Sequence, residues 1–166
     1  MIKIDKNTGL LDGVAFVPSP NHDERPDESD ICLLVIHGIS LPPGEFGGKW
    51  IDDLFTNQLD PDAHPYFQNI HQLEVSSHLL IRRTGDIIQY VPLQKRAWHA
   101  GVSRFEGRER CNDFAIGIEL EGTDDTPYEA IQYQRLAEVS HEIMLQYPAI
   151  DKEHIVGHSD IAPGRK

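Results

Sequence analysis

Short apolar runs, each bounded by glycine, proline or charged residues, predict the strands of a sheet. Residues 33–36 read Leu-Leu-Val-Ile, a continuous apolar run typical of a strand that is covered on both faces. Residues 75–82 and 86–91 are two further strand-like runs, joined by Arg83-Thr84-Gly85. Because glycine favours a tight turn, this pair predicts a β-hairpin.

The segment 114–121 alternates between apolar and polar positions, which predicts another strand. Its two faces separate because successive side chains of a strand point in opposite directions. One face carries Ile116, Ile118 and Leu120, and the other carries Gly117, Glu119 and Glu121. Two carboxylates on a strand that is otherwise built for burial mark it as a candidate site element.

Helical patterns occupy two segments. Residues 50–55 predict a short helix, and residues 126–146 predict a long one that begins at a Thr126–Glu129 capping box and ends before Pro148. Its expected buried stripe consists of Leu136, Val139, Ile143 and Met144. Residues 154–158 predict a brief strand that leads into a loop. Residues 18–30 predict an extended arm. The pattern favours the α/β (α+β) class, with a central mixed β-sheet flanked by helices.

Composition narrows the functional classes. The 166 residues predict a single domain, 1–166, and carry a formal net charge of −12, which repels nucleic acid. No apolar run approaches the ~20 residues that span a bilayer, and the first residues lack the apolar core of an export signal. Cys32 and Cys111 are too few for a disulfide framework and predict free, buried thiols. These features favour a reducing, cytoplasmic setting without a membrane partner, and we expect a monomer.

Two of the nine histidines stand out as candidate metal ligands. His37 and His158 each close a short apolar strand and face a loop rich in glycine or proline. Zinc favours imidazole ligands, although this spacing alone leaves a metal site and a structural role equally open. His78 lies within a predicted strand, which favours a hydrogen-bonded structural residue. The pattern around His99 fits a pocket wall and a core position equally well.

The chain resembles the 1,6-anhydro-N-acetylmuramyl-L-alanine amidases, which share the amidase and peptidoglycan-recognition fold. The matching motifs follow the same order over nearly the whole chain. They are VPSP at 17–20, His37 with ISLPPGEFGG at 39–48, DPDAHPYF at 60–67, RAWHAGVS at 96–103, GRERCND at 107–113, GIELEGT at 117–123 and GHSDIAPGRK at 157–166.

This resemblance implies zinc-dependent hydrolysis of the amide between the lactyl group of anhydro-N-acetylmuramic acid and L-alanine. His37 and His158 would be zinc ligands, Glu119 the acid/base group and Lys166 the group that stabilises the oxyanion. The muropeptide would be bound by Trp98, Arg110, Ala162 and Arg165. The resemblance also implies a role in peptidoglycan recycling and, through removal of a signalling muropeptide, in β-lactamase induction.

Two departures from the family pattern affect this interpretation. The family motif continues past its lysine to an aspartate, the third zinc ligand, whereas this sequence ends at Lys166. We therefore expect a C-terminal tail beyond the given residues. Gly38 stands where related sequences often have asparagine, which would loosen the surroundings of His37.

Two other functions fit the same motifs. A non-catalytic muropeptide-binding module would explain the missing third ligand but would have less need for Glu119 and Lys166. A periplasmic amidase of the same fold would require an export signal, which the first residues do not show. Arginines 104, 108 and 110 would supply local positive charge for an acidic substrate against the −12 background.

Overall fold

A computed structural model describes residues 1–165, and side chains up to residue 164. Within this range the strands and helices have the following bounds. The strands are β1 (Ala15–Phe16), β2 (His22–Asp23), β3 (Leu33–Ile39), β4 (Leu79–Ile81), β5 (Ile87–Gln89), β6 (Arg96–Ala97), β7 (Arg104–Phe105), β8 (Arg108–Glu109), β9 (Ala115–Glu121) and β10 (Ile155–Gly157). The α-helices are α1 (Trp50–Phe55), α2 (Ala130–Gln146) and α3 (His158–Ile161). Short 3₁₀ turns span Pro65–Asn69, Cys111–Asp113, Lys152–His154 and Pro163–Arg165.

The main sheet has six strands in the order β1-β5-β4-β9-β3-β10. Strands β4, β9, β3 and β10 run parallel to one another, whereas β5 pairs antiparallel with β4 as the predicted hairpin. Parallel neighbours bring their carboxyl ends to the same edge of a sheet, where open α/β proteins place their ligand sites. The predicted mixed sheet with flanking helices is confirmed.

One face of the sheet is covered by α2 and by the N-terminal segment. Val139 and Ile143 of α2 are buried, and Leu136 and Met144 pack beside them, which confirms the predicted stripe. They meet alternate strand residues, because the period of two puts those side chains on a common face. These strand residues are Leu34, Leu79, Ile81, Ile116, Ile118 and Leu120.

The opposite face has two separate apolar clusters. One gathers around Leu33, Val35 and Ala115 near the amino ends of β3 and β9. The other packs Leu80 and Tyr90 against α1 and Phe67. His37 and Glu119 lie on this face, farther toward the carboxyl ends of β3 and β9, and belong to neither cluster. The polar site therefore lies on a rigid, largely buried sheet.

Several predicted boundaries change for physical reasons. β4 begins at Leu79 rather than residue 75, because Ser76 donates its backbone N–H to the carbonyl of Trp98 and the chain leaves the sheet. α2 begins at Ala130, because the capping box forms between Glu129 and Gln132 instead of at Thr126. Residue 158, predicted as the end of a strand, instead opens the short helix α3, which lies where a loop was predicted.

The predicted extended arm is anchored by polar contacts. β2 pairs antiparallel with β6, and the buried Arg25 donates to the carbonyls of Leu93 and Ala115. Both cysteines are free, as predicted, although Cys32 is only half-buried while Cys111 is buried. Within residues 1–165, no helix has the length and apolar character needed to cross a membrane.

Candidate metal and hydrolytic site

Three polar residues form a row, two of them on the neighbouring strands β9 and β3 and the third directly after β10. His37 of β3 stands in register with Glu119 of β9, and β10 runs parallel to β3 with Gly157 opposite Ile36. His158 follows Gly157 directly, so it falls level with His37. Asp160 fixes this end of the chain because its carboxylate accepts the backbone N–H of Gly157 at 2.8 Å. We call His158, His37 and Glu119 the polar row.

The two histidines of the row face each other through the same ring nitrogen. Nδ1 of His37 lies 2.9 Å from Nδ1 of His158, and the ring planes are nearly perpendicular, at 87°. His37 lies within β3, which continues to Ile39, so it does not close its strand as the sequence pattern suggested. The rigid strand holds its ring more firmly than a loop would.

This donor pair fits a zinc ion. Zinc binds imidazole nitrogen at about 2.0–2.1 Å, and two such ligands must direct their lone pairs toward one point. The Nδ1 atoms of His37 and His158 face each other at 2.9 Å and are candidates for such a pair. Among residues 1–165 there is no group of three histidine, cysteine, aspartate or glutamate side chains that could hold a metal. The described residues therefore offer two candidate nitrogen donors.

The other ring nitrogen of His37 contacts a third histidine. Nε2 of His37 lies 2.9 Å from Nδ1 of His99, and the two rings meet edge to face. Burial, followed by the charges of His78, Arg25 and His158, lowers the pKa of His99 well below its ordinary value. His99 is therefore a neutral ring next to a candidate metal ligand, and it belongs to the site rather than to the apolar core.

His78 has the predicted structural role, although it lies directly before β4 rather than within a strand. Its Nδ1 accepts the backbone N–H of Gly117 at 3.0 Å, and its Nε2 donates to the carbonyl of Lys95 at 2.8 Å. Burial and the neighbouring Arg25 lower the pKa of His78 to about 3. Both nitrogens are used and the ring stays neutral, so this histidine anchors the backbone behind His99.

The two carboxylates of β9 have different surroundings. Glu121 is buried and forms an ion pair with Arg82 at 3.1 Å. It also accepts the backbone N–H groups of Gly47 at 2.9 Å and Arg83 at 3.1 Å. Glu119 is 8 % exposed and stands beside His37. The sequence left both carboxylates as candidates, and these contacts make Glu121 an anchor for the loop that carries Gly47.

A cleft of about 360 Å³ opens at His37 and His158, and Tyr128 forms part of its wall. A Cβ on Gly38 would lie 2.6 Å from the Tyr128 hydroxyl oxygen, and the Tyr128 ring also lies close over Gly122. Burial, then Asp124 and Glu119, raise the pKa of Tyr128. Tyr128 thus occupies the space that a side chain at position 38 would need. Sequence reasoning missed it, because Gly38, which leaves room for the Tyr128 hydroxyl, is distant from Tyr128 along the chain.

The predicted cluster of positive charge is largely neutralised. Arg104 pairs with Glu109 at 2.8 Å, and Arg108 pairs with Asp30 at 2.6 Å. The guanidinium of Arg110 has no carboxylate partner among residues 1–165 and lines a second groove of about 440 Å³. The local positive field expected from three arginines therefore comes mainly from one.

The remaining predicted substrate residues are spread around these openings. Trp98 is half-buried, and its indole N–H donates to Asp23 at 3.2 Å. Ala162 is buried at the end of α3, whose Ile161 lines the same groove as Arg110. Arg165 lies in the last 3₁₀ turn, and its side chain is outside the described part of the chain. Lys166 lies outside the described residues altogether.

The mixed sheet presents two facing imidazoles and a carboxylate near the carboxyl ends of its parallel strands, which is an arrangement suited to hydrolysis. Residues 27–166 match the N-acetylmuramoyl-L-alanine amidase family, and the chain belongs to that family. The fold comparison agrees. A crystal structure of a selenomethionine AmpD derivative is 60% identical, with a TM-score of 0.94, over 98% of this chain and 89% of that chain.

Curated relatives support the same assignment at high identity. The 1,6-anhydro-N-acetylmuramyl-L-alanine amidase AmpD of Enterobacter cloacae is 61% identical over 158 residues, which cover 95% of this chain and 84% of that protein. The protein of the same name from Haemophilus influenzae is 56% identical over 162 residues, which cover 98% of this chain and 88% of that protein. The resemblance found in the sequence motifs is therefore confirmed.

A more distant structure contains a ligand. The N-acetylmuramyl-L-alanine amidase AmiD from E. coli, in complex with the substrate anhydro-N-acetylmuramic acid-L-Ala-D-gamma-Glu-L-Lys, is 30% identical with a TM-score of 0.56. The match covers 99% of this chain and 59% of that chain.

Proposed function

We propose that this protein hydrolyses the amide between the lactyl carbonyl of 1,6-anhydro-N-acetylmuramic acid and L-alanine in muropeptides, with zinc as its cofactor. The observation that carries the proposal is the polar row. It brings the Nδ1 atoms of His37 and His158 to 2.9 Å and places Glu119 level with them on the adjoining strand. This arrangement occurs in a chain that belongs to the amidase family.

His37 and His158 would hold the zinc through Nδ1. A bound zinc supplies Lewis-acid polarisation of the amide carbonyl and lowers the pKa of water toward about 7. In the family pattern, an aspartate that follows the lysine is the third ligand. The row itself lies in the sheet, so the ligands are held before substrate arrives.

Glu119 would act as the general base and then as the general acid. Its carboxylate accepts a proton from the attacking water and later delivers that proton to the leaving amino group of alanine. A carboxylate that is only 8 % exposed suits both steps, because bulk water competes little for its proton. Lys166 would stabilise the negative charge that develops on the carbonyl oxygen.

Arg110 would recognise a carboxylate of the substrate peptide. A planar guanidinium binds two carboxylate oxygens at once, and the Arg110 side chain has no competing carboxylate within the described chain. Trp98, Ala162 and Arg165 would form further parts of the muropeptide surface. Because the overall charge is −12, this local cation matters for an acidic ligand.

A binding-only module explains the row less well. A module of that kind has no need for a nearly buried carboxylate in register with two facing imidazoles. We further propose that the protein is a cytoplasmic monomer of one amidase domain that works in peptidoglycan recycling. Removal of the signalling muropeptide would then lower β-lactamase induction.

The proposal is tested by incubating the protein with anhydromuramyl-tripeptide and identifying the products by mass spectrometry. We expect anhydro-N-acetylmuramic acid and free tripeptide in the presence of zinc, and no release after chelation. Restored hydrolysis on zinc addition would separate metal loss from unfolding. Binding of intact substrate without any release, at full zinc occupancy, would instead support the binding module.

A further inference from the structure

His99 contacts His37 on the side of the ring that faces away from His158. The Nε2–Nδ1 distance of 2.9 Å is a hydrogen-bond length, so one of these two nitrogens carries the proton and the other accepts it. The position of this proton decides whether Nδ1 of His37, the nitrogen that faces His158, has a free lone pair. In a neutral imidazole a proton on Nε2 leaves Nδ1 as a lone pair, whereas a proton on Nδ1 blocks it.

The position of His99 is fixed by its surroundings. Asn112 accepts the backbone N–H groups of His99 at 3.1 Å and Ala100 at 2.9 Å. The ring packs on Gly117, where a Cβ would lie only 2.6 Å from its Cγ and Nδ1. A side chain at position 117 would therefore push His99 away from His37.

The facing nitrogens decide where the protons must lie if His37 offers a lone pair to a metal. Nδ1 of His37 faces His158 and its Nε2 faces His99, so a free Nδ1 lone pair requires the proton of His37 to lie on Nε2. Nδ1 of His99 then acts as the acceptor, and the proton of His99 lies on its Nε2.

We propose that His99 is a positioning residue that accepts the Nε2–H of His37 and thereby presents the Nδ1 lone pair of His37 to the metal. This inference rests on the proposed role of His37 as a zinc ligand. It also has a consequence in the metal-free protein. Two lone pairs would repel at 2.9 Å, so the proton between the two facing Nδ1 atoms belongs to His158.

The matched variants for the test are His99→Asn and His99→Leu. These side chains have nearly equal size, but the Asn Oδ1 can accept a hydrogen bond close to the position of the imidazole Nδ1, and Leu cannot. Zinc affinity is measured by calorimetry on the whole protein. We expect His99→Asn to bind zinc nearly as tightly as the unaltered protein and His99→Leu to bind about 10–100-fold more weakly. Equal zinc affinity of the two variants would overturn the proposal.

A second readout needs no variant, metal or substrate. Nitrogen-15 NMR of the unaltered, metal-free protein reports which ring nitrogen of His37 carries hydrogen. We expect Nε2–H on His37, and a proton on Nδ1 of His37 would overturn the proposal. If muropeptide hydrolysis failed while the tautomer and the Asn–Leu difference were found as expected, the proposed function would fall and this inference would stand.

Discussion

His78 and His37 are both buried histidines, the first directly before β4 and the second within β3, and their partners differ in kind. His78 is held by two backbone groups, the N–H of Gly117 and the carbonyl of Lys95, whose donor and acceptor roles cannot change. His37 is held by two other imidazoles, His99 and His158, whose protons can move or be displaced. The first arrangement fixes structure, whereas the second leaves nitrogen lone pairs available to a metal.

The same contrast separates the carboxylates of β9. Glu121 receives one ion pair and two backbone N–H groups, so its charge is used to hold loops. Glu119 stands instead in the row of imidazoles. A buried polar side chain therefore indicates function when its partners are side chains whose protons can move or be displaced, and structure when its partners are fixed backbone groups or ion pairs. The following variants test this comparison.

The largest expected effect belongs to Glu119→Gln. Loss of the general base should lower kcat about 10²–10⁴-fold, because proton transfer by a positioned carboxylate contributes that much. The amide keeps the size of the side chain, so zinc content and thermal unfolding should stay close to those of the unaltered protein. Steady-state kinetics with muropeptide, alongside metal analysis, checks this. Activity within a few-fold of normal would contradict the assigned role.

Glu121→Gln should have the opposite signature. Replacing a buried partner of Arg82 should lower the free energy of unfolding by about 3 kcal/mol. The kcat of the molecules that remain folded should change little. Chemical denaturation and assays at low temperature measure the two quantities. Unchanged stability with a large loss of kcat would mean that the roles of Glu119 and Glu121 are reversed.

Arg110 offers a case in which function opposes local stability. Its backbone adopts a left-handed conformation, φ 62° and ψ 58°, which costs about 1 kcal/mol or more for a residue with a Cβ. Arg110→Gly should therefore retain or raise stability while it raises KM about 10–100-fold through loss of a charged hydrogen bond. Arg104→Ala, which removes an arginine already paired with Glu109, is the matched control and should leave KM nearly unchanged. Equal KM changes in both variants would contradict the assignment.

The neutrality of His78 predicts a pH effect. Its folded pKa of about 3 lies below its ordinary value near 6.5, so the unfolded chain binds a proton first as the pH falls. His78 should reduce the free energy of unfolding by up to about 1.4 kcal/mol per pH unit between those two values. NMR titration should show His78 still neutral at pH 5. A protonated His78 at that pH in the folded protein would contradict the account.

The smallest effect concerns the wall of the cleft. Gly38→Ala places a Cβ against the Tyr128 hydroxyl and should cost about 1–3 kcal/mol of stability. Tyr128→Phe removes that oxygen, so the double variant should be more stable than the sum of the single changes predicts. Thermal denaturation of all four proteins measures the coupling. Simple additivity would show that the two residues do not share this space.

The sequence predicted the scaffold better than the site. Apolar periodicity located β3, β9 and the stripe of α2, because burial on a sheet face or a helix face leaves a regular pattern. It could not place Glu119 ahead of Glu121, since both lie on the same strand face and differ only in partners from distant segments, such as Arg82 and Gly47. The same reason explains why Arg104 and Arg108 were counted as free charges. Their partners, Glu109 and Asp30, become neighbours only through β7, β8 and the arm.

The most direct test of the central claim is to follow all histidine side chains by NMR while zinc is added to the metal-free protein, with hydrolysis measured at each step. We predict that one equivalent of zinc shifts the Nδ1 signals of His37 and His158, leaves His78 unchanged, and restores muropeptide hydrolysis in proportion to occupancy. Full hydrolysis without metal, or zinc bound at other histidines while His37 and His158 stay unchanged, would contradict the account.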